Sequence, residues 1–344
     1  MGARHERKRA ATRAAPTNSC IFESFKFKPA ESEPVKFKSA DILKHYRVDA
    51  PDRFDLKSVD CADTGGIDKD AAHAMLADDV KRLSDLQQRL YAEDRWAVLI
   101  VLQGMDAAGK DSVVAHVMSG VNPQGCAVHS FKAPSAEELD HDFLWRTTMR
   151  LPERGRIGIF NRSYYEDVLV VRVHPKLLRR EKVPGALIGK AIWEERFQDI
   201  RNSERHLVRN GTLVLKFFLH VSKEEQRRRF LERLDEPAKR WKFSMDDISE
   251  RQRWDDYMAA YQEMIRATSR PSAPWYVVPA DHKWFTRLVV AAAVIEALEE
   301  LNLAFPKIEG AALKEMRKVR AALLAEAPRK DRRRHGLRSS PLFR

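Results

Sequence analysis

Met75, Leu76, Val80, Leu83, Leu86 and Leu90 recur at helical spacing, which predicts one amphipathic helix. Directly after it, Trp96–Gln103 is an unbroken apolar run of strand length. Such a run suits a strand buried on both faces of a parallel sheet. Four more follow, at Ala127–Phe131, Arg156–Phe160, Leu213–Val221 and Trp275–Pro279, with helical patterns between them. This β-α alternation predicts an α/β fold, a five-stranded parallel sheet flanked by helices. Ser135-x-x-Glu138, Ser222-x-x-Glu225 and Ser244-x-x-Asp247 read as helix starts of the capping-box type. Residues 224–254 break the pattern, being dense in charge and interrupted by Pro237. They read as a helical pair standing off the sheet, either a solvated hairpin or a lid that grips phosphate.

Composition sets bounds on this picture. With 344 residues, 44% of them hydrophobic, the chain can fill a sizeable core, which excludes disorder throughout. No apolar run is long enough to cross a bilayer, and the first residues lack the apolar stretch of a secretory signal. Cys20, Cys61 and Cys126 are spaced for neither a zinc cluster nor a disulfide framework. The expectation is a cytoplasmic protein with reduced thiols and no membrane partner. The formal charge of +12 belongs entirely to the two ends: residues 1–20 carry +4 and residues 314–344 carry +8. Residues 21–313 are neutral overall, so any anion site there must come from local clustering. The expected organisation is a flexible basic arm over 1–25, one catalytic domain over 26–305 and a helix with a basic tail over 306–344.

The chemistry begins at the end of the first apolar run. Gly104-Met-Asp-Ala-Ala-Gly109-Lys110-Asp111 matches G-x-x-x-x-G-K, with a strand before it and a helix after it. In that setting the backbone of Gly104, Ala107, Ala108 and Gly109 turns its N–H groups toward phosphate oxygens, and the helix start adds partial positive charge. Lys110 supplies an ammonium, and Asp111 stands where a hydroxyl residue is usual. Asp106, a carboxylate inside a phosphate loop, is costly unless a divalent cation lies between, which makes it a candidate Mg²⁺ ligand.

A second polar crowd, Asn161-Arg162-Ser-Tyr-Tyr-Glu166-Asp167, follows the third run, where open α/β sheets bind ligands. Arg162 offers a fork to a phosphate. Glu166 and Asp167 either pair with lysines or, with Asn161, receive an acceptor nucleotide. Further cations are grouped at Arg172, Arg227-Arg228-Arg229, Arg233 and Lys239-Arg-Trp-Lys242. Of these, Arg172, Arg228, Lys239 and Lys242 are the candidates for holding a long polyanion. Three consecutive arginines on a helix point in different directions, so only one or two of them can face one ligand.

The loop Gly104-x-Asp106-x-x-Gly109-Lys110, the stretch Phe160-Asn-Arg-Ser-Tyr-Tyr-Glu166, the stretch Phe131-Lys-Ala-Pro-Ser-Ala-Glu-Glu-Leu139 and Lys239-Arg-Trp-Lys242 together resemble the family-2 polyphosphate kinases over roughly residues 40–305. The resemblance implies a P-loop kinase fold related to thymidylate kinases, with a helical lid. It also implies Mg²⁺-dependent phosphoryl transfer between inorganic polyphosphate and nucleoside phosphates, and a homo-oligomer. Asn161-Arg-Ser-Tyr-Tyr-Glu166 looks like the class III branch, which accepts both AMP and ADP, rather than the diphosphate-only branch. In that reading Asp106 positions Mg²⁺ and Lys110 and Arg162 neutralise the transferring group. Two other readings compete: an ATP-dependent nucleotide kinase of the same fold, and a P-loop protein whose tails grip nucleic acid.

Overall fold

The computed structural model describes residues 39–325, and side chains from 42 to 324. The predicted arm over 1–25 and the tail after 325 lie outside the described residues. In chain order the elements are α1 (Ser39–Tyr46), α2 (Lys69–Glu93), β1 (Ala97–Gln103), α3 (Lys110–Val117), β2 (Cys126–Ser130), α4 (Trp145–Thr148), β3 (Ile157–Asn161) and α5 (Val170–Val173). Then come α6 (Ile192–Arg209), β4 (Thr212–His220), α7 (Lys223–Asp235), α8 (Met245–Gln252), α9 (Trp254–Thr268), β5 (Trp275–Pro279), α10 (Lys283–Glu300) and α11 (Gly310–Ala325).

The five strands form one parallel sheet in the order β2-β3-β1-β4-β5. Every residue of β1 is buried, as its apolar run requires of a central strand. On one face lie α1, α2, α3 and α10, whose apolar stretch from Phe285 to Leu298 is the most buried of the helices. On the other, α6 packs on β4 and α9 packs on α6. The expectation of strands buried on both faces fails at β2: it is an edge strand, and Val128 is half exposed. At the opposite edge, Val48 N–H donates to the Trp275 carbonyl at 2.9 Å and Arg47 bridges Tyr276 in antiparallel sense.

Two of the three predicted helix starts are helix caps. Ser222 Oγ accepts from Glu225 N–H at 3.1 Å to open α7, and Ser244 Oγ accepts from Asp246 N–H at 3.2 Å to open α8. Ser135 and Glu138 do form the reciprocal box, at 3.2 and 2.8 Å, but it closes only a single 3₁₀ turn, Glu138–Asp140.

The strand order fixes where a ligand can bind. The chain leaves β1 toward β2 on one side and leaves β4 toward β5 on the other. The carboxyl ends of β1 and β4 therefore flank the crevice where such sheets take ligands. The loop after β1 packs against β4 so closely that a Cβ on Gly104, at φ +154°, would come within 2.8 Å of the Leu219 carbonyl oxygen. Only glycine fits there.

Candidate active site

A cavity of about 570 Å³ opens at that crevice. The loop contributes Asp106, Ala107, Gly109, Lys110, Asp111 and Ser112, and the ends of β2 and β3 contribute Ser130, Phe131, Lys132, Asn161 and Arg162. Arg229, Glu232, Arg233, Lys239, Trp241, Lys242 and Asp247 come from the segment over 223–252, and Lys283 from the start of α10. That segment faces the cavity: α7 and α8 flank a 3₁₀ turn, Pro237–Lys242, whose Lys239 and Lys242 line it.

The loop is shaped by backbone that few side chains tolerate. Ala107 at φ +63° and Gly109 at φ +110° turn the chain inward before α3 begins at Lys110. Lys110 Nζ folds back to donate to the carbonyls of Gly104 and Met105 at 2.6 and 3.2 Å. Burial, with Arg162 nearby, pushes its ammonium down to about 8. Arg162, also left-handed at φ +64°, spans two carboxylates: Nη2 donates to Asp106 Oδ1 at 2.5 Å and Nη1 to Glu166 Oε2 at 3.1 Å. Glu166, with Asp106 assisting against burial, keeps the guanidinium firmly charged. Asn161 Nδ2 donates to Asp111 Oδ1 at 2.6 Å, which ties the end of β3 to the first turn of α3. Ser112 Oγ accepts from Arg287 at 2.8 Å.

Arg229 holds the loop from above. Its guanidinium donates to the carbonyls of Ala107 (2.8 Å), Ala108 (3.1 Å), Ala280 (2.6 Å) and Asp281 (3.0 Å), while Nε donates to Glu225 at 2.7 Å. Gln226, one helical turn earlier, donates to the Asp106 carbonyl at 2.9 Å. One face of α7 thus fastens the loop after β1 to the loop after β5.

Residues 66–306 match the family model described as polyphosphate kinase 2. The chain belongs to the polyphosphate kinase 2 family. It is 55% identical over 283 residues to the ADP-polyphosphate phosphotransferase of Rhodopseudomonas palustris, covering 82% of this chain and 98% of that one. It is 47% identical over 274 residues to the AMP/ADP-polyphosphate phosphotransferase of Meiothermus ruber, covering 79% and 98%. Among solved structures, polyphosphate kinase 2 from Arthrobacter aurescens TC1 superposes with a TM-score of 0.75 at 40% identity, covering 83% of this chain and 97% of that one. The family and fold expected from the motifs are therefore borne out.

Within this polyphosphate kinase 2 chain, Asp106, Ala107, Gly109, Lys110, Asp111, Asn161, Arg162, Lys239 and Lys242 meet in one cavity, with Gly104, Ala108 and Glu166 supporting it from behind. Three expected residues lie elsewhere. Arg228 is exposed and paired with Glu225 and Glu232, because it falls on the outer side of α7. Arg172 is tied to Glu263 and stacks over Trp193, away from the cavity lining. Asp167 is buried beneath Glu166 among Glu181, Arg146 and Arg196, and burial raises its carboxyl to about 7. Lining residues that were not among the site candidates include Arg229, Arg233, Asp247, Lys132 and Lys283. A signal for Arg229 was present: Phe230 marks the buried side of α7, and Gln226, Arg229 and Arg233 share it.

Proposed function

We propose that this protein transfers phosphoryl groups from inorganic polyphosphate to AMP and ADP, giving ADP and ATP. It is an enzyme, a polyphosphate-dependent nucleotide phosphotransferase. The observation that carries the reading is the cavity itself: a phosphate loop and a half-buried arginine, Arg162, at its floor, with Lys132, Arg233, Lys239, Lys242 and Lys283 on its walls. A single nucleotide does not need that many cations, whereas a polyanion fed through the site does. The acceptor's phosphate oxygen is already anionic near neutral pH, so positioning and charge neutralisation suffice and no strong general base is required. One phosphoanhydride replaces another, so the transfer runs in both directions.

The residues that neutralise charge are Lys110 and Arg162, and those that grip the donor are Lys239 and Lys242. The acceptor range follows from Asn161 and Glu166 at the end of β3, the sequence of the class III branch. The R. palustris relative is named for ADP and the M. ruber relative for AMP and ADP. The cavity also offers hard oxygen donors: Asp106, Asp111 and Asp247, with burial and the Asp106 carboxylate together raising the Asp247 pKa. Among the described residues no cluster of three or more His, Cys, Asp or Glu could hold a metal unaided. That donor set suits Mg²⁺, which takes one or two carboxylates and completes its shell with water and substrate phosphates. Asp106 would hold it, with Asp247 nearest in kind, and when bound it neutralises charge on the transferring phosphates.

The deciding experiment supplies Mg²⁺, polyphosphate and AMP without ATP and follows nucleotides by chromatography. ADP followed by ATP is the expected result. ATP from added ADP but nothing from AMP would remove the Glu166 argument. Product only when ATP is supplied as donor would favour an ATP-dependent kinase. The fold satisfies the nucleic-acid reading no better than any P-loop protein does. No helix of the described residues is long and apolar enough to cross a membrane. The homo-oligomer stays a proposal, measurable as solution mass.

A further inference from the structure

Four carboxylates line the cavity: Asp106, Asp111, Glu232 and Asp247. Asp106 and Asp247 are the candidate cation ligands and Asp111 ties α3 to β3, which leaves Glu232 without a task. It stands three residues after Arg229, on the side of α7 that turns toward the cavity. Its Oε1 accepts from Lys239 Nζ, and its Oε2 lies 3.8 Å from Arg228 Nη1. The Lys239 hydrogen bond, assisted by Lys283 and Arg228, holds the Glu232 carboxyl below its ordinary range, so it is ionised near neutral pH. Lys239 also meets Glu236 Oε2 at 2.8 Å, but Glu236 is not among the lining residues. One of the two lysines assigned to the donor is therefore already occupied, and by a carboxylate that faces the cavity.

We propose that Glu232 is a specificity-determining residue for the donor, a carboxylate that occupies Lys239 until polyphosphate displaces it and keeps the bound chain loose enough to advance. This rests on the proposed function. A donor phosphate that reaches Lys239 takes over its ammonium and then lies beside a like charge, so part of the attraction is offset. That offset serves turnover. A donor consumed one phosphate at a time must shift along its track after each transfer. Attraction felt equally in the ground state and the transition state lowers KM without raising kcat, and a track of cations alone would hold the shortened chain in place.

The test is made in the full chain with Glu232→Gln, which keeps the shape and removes the charge, and with Glu236→Gln, which loosens the same lysine from outside the cavity. KM and kcat are measured with long-chain polyphosphate and ADP over a range of salt, and retention of long-chain polyphosphate by the protein is measured separately. For Glu232→Gln the expected result is a fall of about fivefold in the polyphosphate KM at low salt, with a lower kcat and an unchanged ADP KM. The slope of log KM against log salt should steepen by about 0.7, the signature of one more cation released to the polyanion. Glu236→Gln should change the polyphosphate KM much less. A KM that rises or holds in Glu232→Gln overturns the proposal, since the carboxylate would then be positioning Lys239 or assisting the donor. An equal fall in Glu236→Gln overturns it too, because loosening the turn would suffice. If the unaltered chain shows no transfer but Glu232→Gln retains long-chain polyphosphate more tightly, the rivalry at Lys239 stands and the proposed reaction falls.

Discussion

Asp106 and Arg162 hold each other at 2.5 Å at the floor of the cavity, so each is poised by a partner that substrate and cation would replace. Asp106→Asn keeps the shape and removes the charge. The expected outcome is a loss of about 10²–10³ in kcat with an unchanged unfolding transition, measured by nucleotide chromatography and thermal melting. Lys110 yields a prediction in pH. Its ammonium is held down at about 8 by burial, with Arg162 nearby. Below that value it is charged and can receive phosphate, and above it the charge is lost. The kcat/KM for polyphosphate should therefore fall about tenfold per pH unit above 8, while kcat, measured with phosphate already bound, falls later. These residues were legible because their spacing and their place after a strand carry the chemistry. Lys132 and Asp247 stood inside patterns that gave no sign of a role in the cavity, and Lys283 stood in none; all three arrive from segments distant in sequence.

At the scale of the element, α7 decides which arginine matters. The run Arg227-Arg228-Arg229 announces charge, but the helix phase selects Arg229, because Phe230 and Gln226 turn that side inward. Arg229→Lys replaces a fork that serves four carbonyls with a single point charge. It should cost about 2–3 kcal/mol of stability, read by denaturant unfolding, and lower activity as the loop loosens. Arg228→Lys, on the exposed side, should leave both near wild type. Ser222→Ala removes the cap that opens the same helix and should cost about 1 kcal/mol. The strands were easier to read than the helices. A parallel strand covered on both faces must be apolar on both, so β1, β3, β4 and the covered edge strand β5 stood out, whereas β2 looked the same in sequence and proved to be the exposed edge.

At the scale of the whole molecule, a charged knot lies inside the sheet layer. Lys216 on β4 donates to Glu204 of α6 at 2.6 Å, to Tyr165 Oη at 3.1 Å and to the Thr268 carbonyl at 2.8 Å. Tyr164 and Tyr165 donate to the other Glu204 oxygen at 2.9 and 2.7 Å. Each polar atom has a partner, so the pair ties β4 to α6, α9 and the segment after β3. Glu204→Gln would strand a buried ammonium and should lower stability by about 3–5 kcal/mol, seen as a lower denaturation midpoint. No sequence pattern predicts such a pair, since a lysine inside an apolar run resembles a surface residue until its partner is known.

The antiparallel bridge from Arg47 to Tyr276 and the Val48–Trp275 hydrogen bond close the outer edge of β5 with residues from near the start of the described chain. A segment synthesised early therefore waits for one synthesised much later. At about 5–20 residues per second, the chain between Val48 and Trp275 takes roughly 10–45 s to synthesise. During that interval the segment around Tyr46 has no sheet to dock on and is open to chaperones and proteases. A pulse-labelled nascent chain should gain protease resistance around residues 42–48 only after residue 279 has cleared the exit tunnel.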